Sequence, residues 1–431
     1  MHTGSVFRER AEATGARFVA FRPEIDIDYR QLDERFPERR KIPLGPAQFC
    51  FGLKHIFADA IPHQSAGIRD IRRDFPMDAI IVDTMFCGTF PLLLGPPEKR
   101  VPIVALGITA LALSSADTAF FGTALPPSWA AADRARNAAM NSHLQQTVFG
   151  SVQRYFNDVL AKHGSRPLPA FLFDAMITQP DLYLQLTAKE FEYPRSKMPD
   201  SIRFVGPLLP PPSDDFRPPP WWDDFDKGGP IVLVTQGTLA NDDLGQLVGS
   251  TLTALANEDL SVIASTGGPS VESIPVALPP NARAATFLPF DRLLPKVSVM
   301  VTNGGYGAVN HALSLGVPLV VAGDSEEKPE IAARVAWAGA GINLGTGRPS
   351  PSQIREAVRA VLTKPQYRQR AQALSTAFAR HNARDEIAKL VEDLAAGASS
   401  HESIRRGLAS VGAPREGASR QAVGVDTAWI R

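Results

Sequence analysis

The stretch VTNGGYGAVNHAL, residues 301–313, passes from an apolar strand through Asn303, Gly304, Gly305 and Gly307 straight into a helical pattern. Glycines this dense cost conformational entropy, so the backbone there needs unusual dihedral angles or a close approach to something. A glycine turn that opens a helix leaves peptide N–H groups unpaired at the positive end of the helix dipole, which suits a phosphate. Two more turns are built alike, one of Gln236, Gly237 and Thr238 and one of Thr266, Gly267 and Gly268. Taken singly, each reads equally as an ordinary strand-to-helix turn. Taken together, they suit a diphosphate.

Such turns need strands to carry them, and the chain supplies strands in a regular order. PIVLVTQGT, a helix from about Asp243 to Ala256, LSVIASTGG, ARAATFLPF, VSVMVTNGG, a helix through Leu315, PLVVAG and a helix from about Pro329 to Ala338 follow one another. Strand and helix alternating in this way predict an α/β fold with a parallel, doubly wound sheet, whose ligands lie beyond the carboxyl ends of the strands. Upstream, MDAIIVDTMF and RVPIVALGIT are short apolar runs of the kind buried parallel strands show. Between the halves lies VGPLLPPPSDDFRPPPWWDDFDKGGP, residues 205–230, too rich in proline for a helix or a central strand. The expected organisation is a first domain over 1–205, a proline-rich linker over 206–229, a second domain over 230–397 closed by helical patterns, and a disordered polar tail over 398–431.

Length and composition bound what the turns can serve. At 431 residues the chain is long enough for two domains with cores of their own. Basic and acidic residues balance at 45 each without a Lys/Arg block, so neither a nucleic-acid groove nor an anionic membrane surface is announced. Cys50 and Cys87 suggest neither a disulfide framework nor a metal site. The amino terminus lacks the apolar core of a secretory signal, and the longest apolar run, residues 101–116, contains Pro102 and stops short of a membrane span. These features predict a soluble, cytoplasmic protein with a small or amphiphilic ligand.

The ordered set RFVGPLLP, VLVTQGTLAN, TFLPFDRLLP and VTNGGYGAVNHALSLGVPLVVAGDSEEKPEIAARVAWAGAGINL resembles the family-one nucleotide-sugar glycosyltransferases, in their bacterial macrolide and natural-product branch. The resemblance implies the GT-B architecture, two Rossmann-like domains facing each other across a cleft. It also implies roles. Phe287 stands where relatives stack the base and Leu288 where they offer backbone groups to its edge. Gly237, Thr238, Asn303, Gly305, Gly307 and Ala308 match the surroundings of the diphosphate, and Glu327 and Lys328 fall where relatives carry an acid and an amide that hold the sugar hydroxyls. On composition alone Phe287 is equally a core aromatic, and the charges at 326–328 a solvated helix cap. Asp83, in AIIVDTMF, matches the carboxylate that orients the family's catalytic histidine; a helix-capping Asp is the alternative.

The chain departs from the pattern as well. Relatives usually place His at the position of Asn303, Gln at Phe290 and Glu at His311. TGSVFRERAEATGARFVAF resembles the segment after the family's second strand, so the opening strand, Gly-His turn and helix are expected to be missing, leaving an exposed sheet edge. His2 is expected in a disordered terminus, and His55 and His63 inside or at the rim of an acceptor-pocket helix. The function implied is inverting transfer of a hexose from a UDP- or dTDP-sugar to a hydroxyl of a lipophilic macrolide, polyketide, sterol or phenolic, with no cofactor and no metal. Phe49, Phe51, Phe57, Phe86, Phe120, Phe121 and Trp129 are expected partly in the core and partly around an apolar acceptor pocket. A non-catalytic sugar-nucleotide binder and a sugar-nucleotide epimerase are the rival readings.

Overall fold

A computed structural model describes residues 1–43, 45–213, 215–223 and 228–397. The tail expected over 398–431 lies outside the described residues, as does part of the linker. The second half builds a six-stranded, all-parallel sheet from β7 (Ile231–Thr235), β8 (Ser261–Ser265), β9 (Ala282–Ala285), β10 (Val299–Thr302), β11 (Leu319–Val321) and β12 (Gly341–Asn343), in the order β12-β11-β10-β7-β8-β9. β7, β10 and β11 are buried at every position, as Val/Ile/Leu runs covered on both faces must be. One face packs the helices Tyr306–Ser314 and Pro365–Phe378, the other Ser250–Leu255 and Pro351–Thr363. The last of these starts sharply because Ser350 and Gln353 form a reciprocal capping box ahead of Pro351.

The first half holds a four-stranded parallel sheet ordered β3 (Ile80–Asp83), β4 (Ile103–Gly107), β5 (Leu182–Gln185), β6 (Ile202–Phe204). β3 is an edge strand with Ile81 50 % exposed, the open edge expected from the sequence. The chain's first residues are not loose: β1 (His2–Thr3) pairs in parallel with β2 (Val19–Ala20) in a separate ribbon. His2, expected to be disordered, is half-buried in it, with Nδ1 3.1 Å from the Val19 carbonyl and its ring edge-on to Phe21.

The helix Ala383–Ala396 departs from the expected division. The sequence pattern counts it with residues 230–397, yet Leu390 and Leu394 pack on Val104, Leu182 and Leu184 of the first sheet. The two halves also share a core: Ala110, Ala188 and Phe191 sit among the apolar side chains of the second domain. Polar contacts reinforce the seam, with Gln185 donating to the Tyr306 hydroxyl at 2.8 Å and Thr187 to Asn310 Oδ1 at 2.6 Å.

Candidate functional site

The order of the six-stranded sheet reverses between β7 and β10, and in a doubly wound sheet that switch point is where the crevice for a ligand opens. Thr235 lies level with Thr302 in the ladder, so the loop holding Gly237 and Thr238 and the turn from Asn303 to Ala308 leave the sheet side by side. Only one glycine of that turn requires the left-handed region: Gly304 has φ +92°, and a Cβ there would stand 2.9 Å from Val321 Cγ1. Gly305 is the N-cap at φ −58°. Gly307 is exposed in the first helical turn, where a Cβ would meet nothing within 4 Å, so its smallness leaves open space above the turn. The first bond inside this helix runs from the Val309 N–H to the Gly305 carbonyl, and the N–H groups of Tyr306, Gly307 and Ala308 precede it.

Asn303 departs from its expected role. Its amide donates to the Gln236 carbonyl and the side chain is buried, so it ties the two loops together instead of presenting that hydrogen to a ligand. Lys328 departs further. Its ammonium is turned back onto Ser325 and Glu326 and buried in a polar recess with Gln236, Asn303 and Asp324. Glu327 is the N-cap residue of the helix Lys328–Trp337, and burial pushes its carboxyl above the ordinary glutamate range, against the opposing pull of backbone hydrogen bonding and Lys328. Phe287 is 62 % exposed on the loop after β9, with the rim of its ring beside Gly268, whereas Leu288 is buried. Two of the three departures from the expected pattern touch: the ring centroids of Phe290 and His311 lie 5.7 Å apart, and burial lowers the His311 pKa, with Asp291 acting the other way. Phe290 and His311, which stand where Gln and Glu were expected, therefore pack against each other as one tilted aromatic pair.

On the first domain, Asp83 ends β3 with its carboxylate accepting the Met85 N–H at 2.6 Å. Although the residue as a whole is exposed, protein packed behind the carboxyl raises its pKa, and the Tyr29 phenol nearby is pushed up to about 12 by burial and by the Asp83 charge. Among the described residues no histidine is hydrogen-bonded or ion-paired to Asp83. His55 sits in a π-helical turn, Leu53–Ala58, and pairs with Asp59, which also accepts from the Tyr155 hydroxyl; His63 faces Glu24. Of the aromatics expected around an acceptor, Phe120 is core, whereas Phe49 and Trp129 are exposed. Phe120 and Phe121 line a cavity with Phe171, Phe173 and Tyr193, and charged walls come from Arg195, Glu330 and Arg334.

Those last residues escaped the sequence reading. Arg334 is 1 % exposed and pairs with Glu330 at 2.8 Å and, across the domain seam, with Glu192 at 2.7 Å, while its guanidinium lies 4.1 Å from the centre of the Tyr193 ring. Burial works against the Glu192 charge, but the Arg334 and Arg195 guanidiniums overcome it and hold its pKa below the usual range. Glu330 and Arg334 stand at i and i+4 in PEIAARV, a spacing that is visible but reads as a surface pair. Their partners lie 142 to 208 residues away, which no local pattern discloses.

Residues 249–394 match the family described as the C-terminal domain of erythromycin biosynthesis protein CIII-like proteins. The chain is 40 % identical over 395 residues to a 4'-demethylrebeccamycin synthase of Lentzea aerocolonigenes, with 91 % of each chain covered. It is 36 % identical over 407 residues to UDP-glycosyltransferase 2 of Phaeomoniella chlamydospora, covering 91 % of this chain and 89 % of that one. The fold matches the crystal structure of the glycotransferase of kitacinnamycin with a TM-score of 0.68 at 19 % identity, over 91 % of this chain and 90 % of the other. No described helix is long and apolar enough to cross a membrane. With relatives this similar over nearly their whole length, and with two parallel sheets in the GT-B manner, the chain belongs to the family-one natural-product glycosyltransferases and is a hexosyltransferase.

Proposed function

We propose that the chain moves a hexose, with inversion, from a nucleoside diphosphate sugar to a hydroxyl of a lipophilic small molecule. The observation that carries this reading is the turn at the β7/β10 switch point, where the N–H groups of Tyr306, Gly307 and Ala308 open a helix and the space over Gly307 is free. A leaving diphosphate gathers negative charge as the glycosidic bond breaks. Fixed N–H donors and the positive helix end stabilise that charge in the transition state. Gly237, Thr238, Asn303 and Gly305 shape the cradle, Phe287 stacks the base, Leu288 meets its edge through the backbone, and Glu327 accepts from the sugar hydroxyls, as a carboxylate accepts from two neighbours at once. Lys328 supports the recess from behind. Asp83 serves the acceptor side as the carboxylate of an acid–base pair, although no described histidine of this chain partners it to take the hydroxyl proton.

The donor is a UDP- or dTDP-sugar, and the UDP-glycosyltransferase relative favours UDP. Calorimetry with UDP, dTDP and GDP and their glucose conjugates is the first test, followed by product analysis with phenolic, sterol and macrolide alcohols. A β-glycoside from an α-linked donor supports the reading. Retention at the anomeric carbon, or saturable binding to none of the nucleotides, refutes it.

A further inference from the structure

Residues 108–130 form neither helix nor strand, yet they supply Leu111, Leu113, Phe120, Phe121 and Leu125 to the wall of the aromatic cavity. A stretch of that length without regular structure is uncommon in a compact domain unless it has a function. Its beginning is held by its own domain: Glu192 accepts the Leu111 N–H at 3.0 Å and Asp174 the Ser114 N–H at 2.7 Å. Its middle is held by the other domain. One oxygen of Glu330 accepts the N–H groups of Gly122 and Ala124, at 2.7 and 2.8 Å. Those residues have φ values of +104° and +55°, and an alanine keeps such a value only where its surroundings over-determine it. The other oxygen of Glu330 takes Arg334, which joins Glu192 and so closes a circuit from the loop's start to its middle.

Glu330 also stands three residues from Glu327, in the first turn of the helix whose N-cap faces the donor sugar under the proposed function. A helix is stiff over one turn, so the residue that grips the 108–130 loop and the residue assigned to the sugar under that reading move together. We propose that Glu330 is a positioning residue that couples the two substrates: it docks the 108–130 loop over the acceptor cavity in step with the donor end of the Lys328–Trp337 helix. The inference rests on sugar transfer at this cleft. It predicts that donor occupancy tightens acceptor binding through the Gly122 and Ala124 amides.

The test compares wild type, Glu330→Ala and Glu330→Gln. In Glu330→Ala the acceptor KM rises about 10-fold or more, the scale of a lost charge-assisted hydrogen bond, while the Kd for UDP stays within about 2-fold, since no residue at the nucleotide changes. Glu330→Gln keeps an acceptor oxygen for the two amides and recovers most of the loss; it also reads the proposal if the alanine variant fails to fold. Hydrogen exchange gives a measurement free of turnover: UDP-glucose slows exchange in peptides over 120–125 of wild type, and not of Glu330→Ala. An unchanged acceptor KM, a rise in acceptor KM matched by equal losses of kcat and UDP affinity, or indifference of the wild-type 120–125 peptides to UDP-glucose overturns the coupling. Absence of any glycoside from wild type overturns the transfer reading instead, and the exchange comparison still decides the coupling.

Discussion

Phe287 and Glu327 show how a residue's surroundings separate binding from stability. An aromatic ring this exposed contributes little to the core, so Phe287→Ala leaves stability within about 0.5 kcal/mol and weakens nucleotide binding by about 1–3 kcal/mol, the worth of a base stack. Isothermal titration with UDP and a melting curve check both halves. Glu327 carries the opposite balance. Its pKa is raised in the folded chain, so folding favours the protonated form; the stability it contributes is present at low pH and is lost as the pH rises through the folded value. Glu327→Gln therefore melts higher than wild type at pH 8, and the difference closes on acidification. The same variant loses affinity for UDP-glucose and keeps its affinity for UDP. The binding roles of Phe287 and Glu327 are what these variants test; their places, on the loop after β9 and at a helix start, were legible in the ordered series of motifs. The inward turn of Lys328 was not, because it depends on Glu326, a non-glycine residue at φ +55° whose conformation no residue type announces.

Among elements, the turn from β10 into the Tyr306–Ser314 helix separates conformational need from space for a ligand. Gly304→Ala places a side chain in the left-handed region against Val321 and costs at least about 1–2 kcal/mol, read as a lower melting temperature. Gly307→Ala fills open space in a helix, where alanine gains roughly 0.5–1 kcal/mol over glycine, so stability rises while UDP affinity falls. Equal UDP affinity in Gly307→Ala and wild type removes the diphosphate from this turn. The alternation of strand and helix in the second half was readable because its strands are buried on both faces and its turns are marked by glycine. The helix Ala383–Ala396 was misassigned for a physical reason: amphipathic periodicity reports that a helix has an apolar face, and says nothing of which sheet receives it.

For the molecule as a whole, the seam between the halves is both apolar and ionic. Glu192 carries the pH dependence of the ionic part. Its folded pKa is depressed, so its contribution is intact above the ordinary glutamate value, about 4.3, and is lost as the pH falls below that toward the folded value. Glu192→Gln removes that dependence and leaves Arg334 short of a buried partner, a loss of roughly 3–5 kcal/mol at neutral pH. Melting curves of the two proteins from pH 7 to 3.5 should converge on the acid side.

The return of the last helix to the first sheet makes the chain cross between domains twice, at the linker and again near residue 381. The two crossings touch: Gly206, at φ +76°, lies so close to His381 that a Cβ there would stand 2.4 Å from the histidine's own. For anyone exchanging second domains between related enzymes, the natural cassette is thus bounded on both sides, entering near 206 and leaving near 381. A hybrid joined at a single point in the linker would pair the first domain's sheet with a foreign closing helix, and its defect would surface far from the junction.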